Sequence, residues 1–249
     1  MFSSVLSYAG EVWGFYKTDL IERIHLEYLK YGLRIKKSTP NMMVYSELGR
    51  SPLYIKFYLQ ILKYLVKLLN TENCILQNVY KDMLYRIDHD NCNSNMWLLC
   101  VRNLLSSLGL GDVWLCHNVT NDKLFLSVCK TRLTDCFLQE RNSFFERSSK
   151  CLFYKHIIDR FTLQFYLTTD LPTKFISIIS KFRLSAHILN IEVGRYSNIP
   201  RQNRLCPVCN SVEDEYHFIL VCPLYDNVRQ NYIKQYYWRR PSSFKLVQL

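Results

Sequence analysis

The sequence predicts a mostly α-helical protein, a multi-helix bundle that ends in a small C-terminal module. Hydrophobic residues make up 49% of the 249-residue chain, whereas Gly and Pro each occur only seven times. This composition is typical of a compact chain and not of a disordered one. In several long segments the apolar residues recur at the spacing of a helix face. The C-terminal module is predicted by three cysteines and a histidine that lie close together in the sequence, Cys206, Cys209, His217 and Cys222.

These four residues have the spacing of a CCHC zinc knuckle. Two cysteines separated by two residues can direct both thiolates to one ion from a tight turn, and His217 with Cys222 completes a tetrahedral set. Because protein groups would fill all four positions, no position remains for water, and the motif favours a structural Zn²⁺ over a catalytic one. The alternative is that the four residues share this spacing by chance.

The chain divides into three predicted segments: 1–50, 51–194 and 195–249. In the first, a helix begins at Asp19, an N-cap residue with Glu22 three positions later, and ends near Gly32. Residues 34–40 form a basic loop, interpreted either as a solvated turn or as a phosphate contact.

The second segment, 51–194, is the helical domain. Its strongest element is a helix over 52–70, on which Lys56, Gln60, Lys63 and Lys67 form one narrow polar stripe. The stripe is either the hydrated face of a buried helix or part of a groove that follows a nucleic-acid backbone. Further helices are predicted over 75–87, 94–107 and 122–147. A last helix begins at Pro172, and Gly194 is placed to end it.

The third segment, 195–249, carries the zinc knuckle. A basic linker without acidic residues, 195–204, leads into it. Pro223 follows the last ligand and suits the first turn of a closing helix, since proline lacks only an N–H that has no partner there.

The charge balance indicates the class of partner. The net charge is +11, which favours RNA or DNA over a neutral partner. The sequence starts without a basic signal region, and lysines interrupt its most apolar stretch. We therefore expect an intracellular protein, nuclear or cytoplasmic, with reduced cysteines and with neither a membrane nor a small-molecule substrate as partner.

Several short runs resemble one known family. They are Phe-Arg-Leu-Ser-Ala-His at 182–187, Glu-Val-Gly-Arg-Tyr at 192–196, Arg-Leu-Cys-Pro-Val-Cys at 204–209, Asp-Glu-Tyr-His-Phe at 214–218 and Cys-Pro-Leu-Tyr at 222–225. Together they resemble the C-terminal region of reverse transcriptases from non-LTR retrotransposons. Residues 10–14 and 45–55 are similar to the segment that follows the polymerase thumb, so 1–50 resembles a post-thumb connecting segment.

The chain also departs from that family. Its polymerases bind catalytic metal ions through an aspartate pair in a Tyr-x-Asp-Asp turn, and this sequence contains no two adjacent aspartates. Without such carboxylates the metal ions needed for two-metal phosphoryl transfer have no ligands. We therefore expect a truncated or domesticated, non-catalytic module that lacks the family's polymerase and endonuclease domains.

The resemblance implies that the module binds nucleic acid. Arginines of the third segment would contact phosphates, and Tyr196, Tyr225, Tyr237 or Trp238 would stack on unpaired bases. The predicted phosphate contacts are Arg195, Arg201, Arg204, Arg229, Arg239 and Arg240.

Two alternatives remain at this point. One is a protein-interaction scaffold that docks on a polymerase or another protein through its aromatic N-terminus. The other is an enzyme, although no catalytic spacing is recognisable.

Overall fold

The computed structural model describes residues 7–16, 18–89 and 96–248, and most of them are helical. Within these ranges the only extended pairing is a single antiparallel bridge between Leu205 and Val212. The mostly α prediction is confirmed. The α-helices are α1 (Gly10–Trp13), α2 (Thr18–Gly32), α3 (Asn41–Leu48), α4 (Leu53–Leu69), α5 (Cys74–His89), α6 (Met96–Ser107), α7 (Gly111–Cys116), α8 (Asp122–Arg147), α9 (Tyr154–Ile157), α10 (Thr173–Arg183), α11 (Asn190–Tyr196), α12 (Asp226–Tyr232), α13 (Gln235–Trp238) and α14 (Ser243–Gln248).

The chain forms two compact units. Unit 1 consists of 1–26 and 51–142, and unit 2 consists of 27–50 and 143–249. The segment boundary predicted at residue 50 coincides with one division, whereas the predicted segment 51–194 is shared between the units. None of the described helices is long and apolar enough to cross a membrane.

Unit 1 is built around α4, whose bounds agree with the predicted helix over 52–70. Phe57 and Ile61 on α4 are fully buried, and the ring of Trp13 meets Phe57 edge-on at 5.0 Å. Lys63 and Lys67 are exposed, as the predicted polar stripe requires. Helix α8 matches its predicted bounds at both ends. Its long periodic pattern was therefore sufficient to place it.

Unit 2 is organised around a buried carboxylate on α3. The side chain of Glu47 is fully buried. Its oxygens accept a hydrogen bond from Arg183 Nε at 2.6 Å and one from the Tyr154 hydroxyl at 2.8 Å. Its backbone carbonyl accepts one from the N–H of Gln164 at 3.1 Å. One residue thus connects α3, α9, α10 and the segment before α10.

The single helix predicted from Pro172 to Gly194 is wrong, because two helices occupy this stretch. Helix α10 ends where Ser185 adopts a left-handed conformation with φ 48° and the N–H of Ala186 bonds the carbonyl of Lys181 at 2.8 Å. This is the hydrogen-bond pattern of a helix C-terminus. Gly194 lies inside α11, where a Cβ would come within 2.7 Å of Arg204 Cγ. The glycine therefore admits the Arg204 side chain and does not end a helix.

We expect Arg183→Met to destabilise unit 2 by about 3 kcal/mol, because it leaves the Glu47 carboxylate buried without its cation. Urea unfolding measures the change. Arg160→Met is the control: Arg160 and its partner Asp159 are 83% and 88% exposed, so a change within about 0.5 kcal/mol is expected. Equal effects of the two substitutions would contradict the assigned role of the buried pair.

Candidate metal centre

The first half of the candidate site is a tight turn. The N–H of Cys206 donates to the Ser211 carbonyl at 2.8 Å, and the N–H of Asn210 donates to the Cys206 carbonyl at 3.0 Å. Asn210 closes this turn with φ 55°, a left-handed conformation that asparagine tolerates better than most residues. The turn places the thiols of Cys206 and Cys209 on the same side, as their spacing predicts.

The second half is a short π-helix over His217–Val221. Its first residue is held by Asp214, whose Oδ1 accepts a hydrogen bond from the N–H of His217 at 2.9 Å. At its end, the N–H of Cys222 donates to the His217 carbonyl at 2.8 Å. The wide π turn is characteristic of functional sites, and here it brings the last two candidate ligands together.

The ligand atoms of all four residues lie within 4.8 Å of one another. The Sγ atoms of Cys206 and Cys222 are 3.8 Å apart, and Cys209 Sγ is 3.2 Å from His217 Nε2. Two thiolates at ~2.3 Å from one tetrahedral ion would themselves be ~3.8 Å apart. The cluster can therefore hold a metal ion without rearrangement of its cysteine pair. Three of the ligands are buried and Cys209 is half-buried, so the site is shielded from solvent.

The surroundings favour a thiolate at the first ligand. Burial opposes ionisation of Cys206, but hydrogen bonds from the backbone of Val208 and Cys209 and from His217 outweigh it. The pKa of the Cys206 thiol is lowered to about 6 as a result. Burial raises the pKa of Cys222, and the neighbouring Cys206 raises it further. A thiolate is the form of cysteine that binds metal, so the site is prepared for a cation.

Arg229 supports this loop from within. The residue is only 4% exposed. Its Nε donates to the Ile219 carbonyl and its Nη2 to the Cys222 carbonyl, both at 2.7 Å. The structure thus places this predicted phosphate contact in the interior, where it fixes the backbone of the last ligand.

Two other predicted phosphate contacts also make internal bonds. Arg204 donates to the carbonyls of Ile191 and Ile199 at 2.7 and 2.9 Å. Arg195 donates to Ser149 Oγ at 2.7 Å and pairs with Glu192 at 3.0 Å. These bonds hold both guanidinium groups in place.

The remaining predicted residues are accessible. Arg201 makes a half-exposed ion pair with Asp214 at 3.3 Å, and Arg239 and Arg240 are exposed. Tyr196 is 54% exposed at the end of α11. The structure does not place these four in one cluster. It brings Tyr196 together with lysines instead.

The Tyr196 cluster consists of Tyr196, Lys36, Ser38 and Lys150. The Nζ atoms of Lys36 and Lys150 lie 5.6 and 5.5 Å from the centroid of the tyrosine ring. The tyrosine hydroxyl is 3.0 Å from Ser38 Oγ and accepts a hydrogen bond from Lys150 at 3.1 Å. The sequence signal for part of this cluster was the basic loop over 34–40. Lys150 has no comparable signal, since its nearest basic neighbours, Arg147 and Lys155, do not form a run with it.

No protein-family model, no curated protein and no solved structure matches this chain.

Cys209→Ser should remove one of four ligands, so we expect bound metal to fall and residues 195–240 to become protease-sensitive, with unit 1 unaffected. Elemental analysis and limited proteolysis measure the two effects. Cys116→Ser, at an exposed cysteine outside the cluster, should change neither. Unchanged protease resistance of 195–240 in Cys209→Ser and in chelator would contradict a metal-dependent fold.

Arg229→Gln should loosen the same segment while all four ligands remain, because two buried carbonyls lose their charged donor. We expect a loss of about 2 kcal/mol in stability and faster release of metal to a colorimetric chelator. Arg239→Gln removes the same charge at an exposed position, so its stability and its rate of metal release should match those of the wild type. Identical release rates in the two variants would show that Arg229 does not stabilise the centre.

Proposed function

We propose that this chain is a non-catalytic nucleic-acid-binding module whose C-terminal part is a CCHC zinc knuckle with a structural Zn²⁺. The proposal includes the resemblance to the post-thumb, C-terminal region of non-LTR retrotransposon reverse transcriptases. It assigns no reaction to the chain and no base specificity.

The identity of the metal follows from the chemistry of the ligands. Three thiolates and an imidazole are soft and borderline donors, which suit Zn²⁺ and do not suit the hard cations Mg²⁺ and Ca²⁺. A set of four protein ligands is typical of structural zinc sites. Zn²⁺ bound here would stabilise the turn and the π-helix, and folding of the loop would depend on it.

The observation that carries nucleic-acid binding is a groove on unit 2 whose charged lining is mostly cationic. This groove of about 810 Å³ is lined by Arg34, Lys36 and Lys181, together with residues of the metal loop. A second cavity, of about 370 Å³, is lined by Lys150, Arg195 and Arg201 and also by the carboxylates of Glu192, Asp214 and Glu215, so its formal charges balance. Lys36 belongs to the groove and Lys150 to the cavity, and both ammonium groups lie over the Tyr196 ring.

This combination matches the chemistry of an RNA or DNA strand. Cationic side chains in concave surfaces attract phosphates, and an aromatic ring among them offers a face on which a base can stack. Tyr196 is held by Ser38 and Lys150, so its ring is positioned before a strand arrives. Arg204 bonds only backbone carbonyls and adds to the local positive potential, whereas Glu192 and Asp226 offset the charges of Arg195 and Arg229.

A protein-interaction scaffold is the second candidate. Unit 1 contains an apolar cavity of about 410 Å³ lined by residues such as Val12, Val79 and Trp97, and Tyr8 is 82% exposed. Trp13 and Phe15 are less available than the sequence suggested, because their rings pack on Phe57 and Tyr58. A polymerase or another protein could dock at this cavity, and binding of no nucleic acid by the zinc-loaded chain would favour this function.

The double substitution Lys36→Gln and Arg201→Gln should weaken binding to every sequence alike, because phosphate contacts carry no sequence information. Fluorescence anisotropy over a salt series should show a slope smaller by about 0.7 for each lost single-strand phosphate contact. The control is Lys123→Gln with Lys130→Gln, two exposed lysines of unit 1. A sequence-selective loss, or the same loss in the control, would contradict the assignment.

A further inference from the structure

We propose that the groove beside the metal centre is a binding site for unpaired nucleobases, so that the chain prefers single-stranded RNA or DNA to a duplex. This inference rests on the proposed function and names the form of nucleic acid that the groove accepts. The argument depends on three features of the groove: its aromatic wall, its apolar lining and its cationic rim.

A series of aromatic rings lines one side of the groove. The rings of Phe218 and Tyr225 are 4.7 Å apart, those of Phe182 and Phe218 are 6.1 Å apart, and His187 lies 5.8 Å from Phe182. All four residues line the groove and all are half-buried. Each ring is thus fixed by its neighbours while part of it stays accessible. Fixed aromatic faces favour stacking because little side-chain freedom is lost when a base binds.

Apolar side chains extend the same surface. Ile188 is 83% exposed and Ile178 is 53% exposed, although both line the groove. Isolated exposed residues of this kind are normal. Here they adjoin an aromatic wall, so the concavity presents a connected apolar surface that water solvates poorly. The flat face of a base could cover this surface.

The rim of the groove selects an anionic ligand. Arg34, Lys36 and Lys181 line it and are all exposed. One carboxylate also lines the groove, that of Glu213, and its Oε2 already accepts a hydrogen bond from the N–H of Asn190 at 2.7 Å. The charge of the rim is therefore complementary to phosphodiesters, which accompany every base of a strand.

Base pairing decides between a single strand and a duplex. A duplex presents its phosphates outward and keeps its base faces stacked inside, so it could use the rim but not the aromatic wall. An unpaired strand could use both. An acidic amphipathic peptide would also satisfy the rim and the lining, but the aromatic series favours bases, since every base has a π-face.

The test uses the full-length, zinc-loaded chain with one short sequence as single-stranded DNA, as single-stranded RNA and as a blunt DNA duplex. Anisotropy titrations should show at least about tenfold tighter binding of a single strand, the effect of roughly one stacked base. The RNA and DNA arms establish which sugar is preferred. A 2-aminopurine in the strand should be quenched on binding, since stacking on a ring quenches this base analogue.

Ile188→Asp places a carboxylate in the groove and should reduce single-strand affinity about tenfold and abolish the quenching, with a smaller loss of duplex affinity, because a duplex contacts only the rim. Val228→Asp is the matched control, because Val228 is 56% exposed on α12 and does not line the groove. A second pair avoids any new charge in the lining: Lys181→Gln, at the rim, should weaken binding, and Lys174→Gln, on the same helix but outside the groove, should not.

The possible failures are distinguishable. Absence of salt-dependent binding to any of the three probes would overturn the proposed function and this inference together. Equal affinity for single strand and duplex, with a normal salt slope, would overturn the inference alone. The inference alone would also be overturned if an acidic amphipathic peptide bound the wild type but not Ile188→Asp, and the wild type did not quench 2-aminopurine.

Discussion

Much of unit 2 depends on the interactions of one buried group, the carboxylate of Glu47. A charged group without solvent is costly unless cations and hydrogen-bond donors replace the water. Arg183 and Tyr154 supply them, and Arg183 also donates to Gln164 Oε1 at 2.8 Å. The requirement that these donors converge on one site fixes the position of α10. The turn that follows α10 then carries Ala186 to Leu189, part of the lining of the proposed nucleobase groove.

The candidate metal centre adds a second constraint, which is local. Its three thiols and imidazole lie close enough to share one cation, and two or more thiolates at these distances would repel one another without it. Arg229 stabilises the same segment through its backbone. It donates to the carbonyls of Ile219 and Cys222 and does not contact the ligand atoms themselves. Phe218 directly follows His217 and Tyr225 lies three residues after Cys222, so the metal would hold two rings of the aromatic wall in place. In the proposed function the centre would contribute to binding only through this geometry.

Features formed by residues close together in the sequence could be predicted, whereas contacts between distant residues could not. The metal ligands were identifiable because turn and spacing lie within 17 consecutive positions, and α4 and α8 because periodicity is local. Helix α3 was missed since Pro40, Gly49 and Pro52 made its surroundings resemble a loop. The internal bonds of Arg195, Arg204 and Arg229 could not be predicted, because their acceptors are backbone carbonyls that leave no mark on side-chain identity. The same holds for the meeting of Lys36, Lys150 and Tyr196, which are far apart in the chain.

The π-helix between His217 and Cys222 makes the length of this segment more important than its composition. Ile219 and Val221 could exchange for other apolar residues of similar size, since neither supplies a ligand atom or a ring of the aromatic wall. Loss or gain of one residue would rotate Cys222 about the helix axis relative to His217 and move its sulfur away from the cluster. Among natural variants of this chain, substitutions should therefore be common in the segment, and insertions and deletions rare.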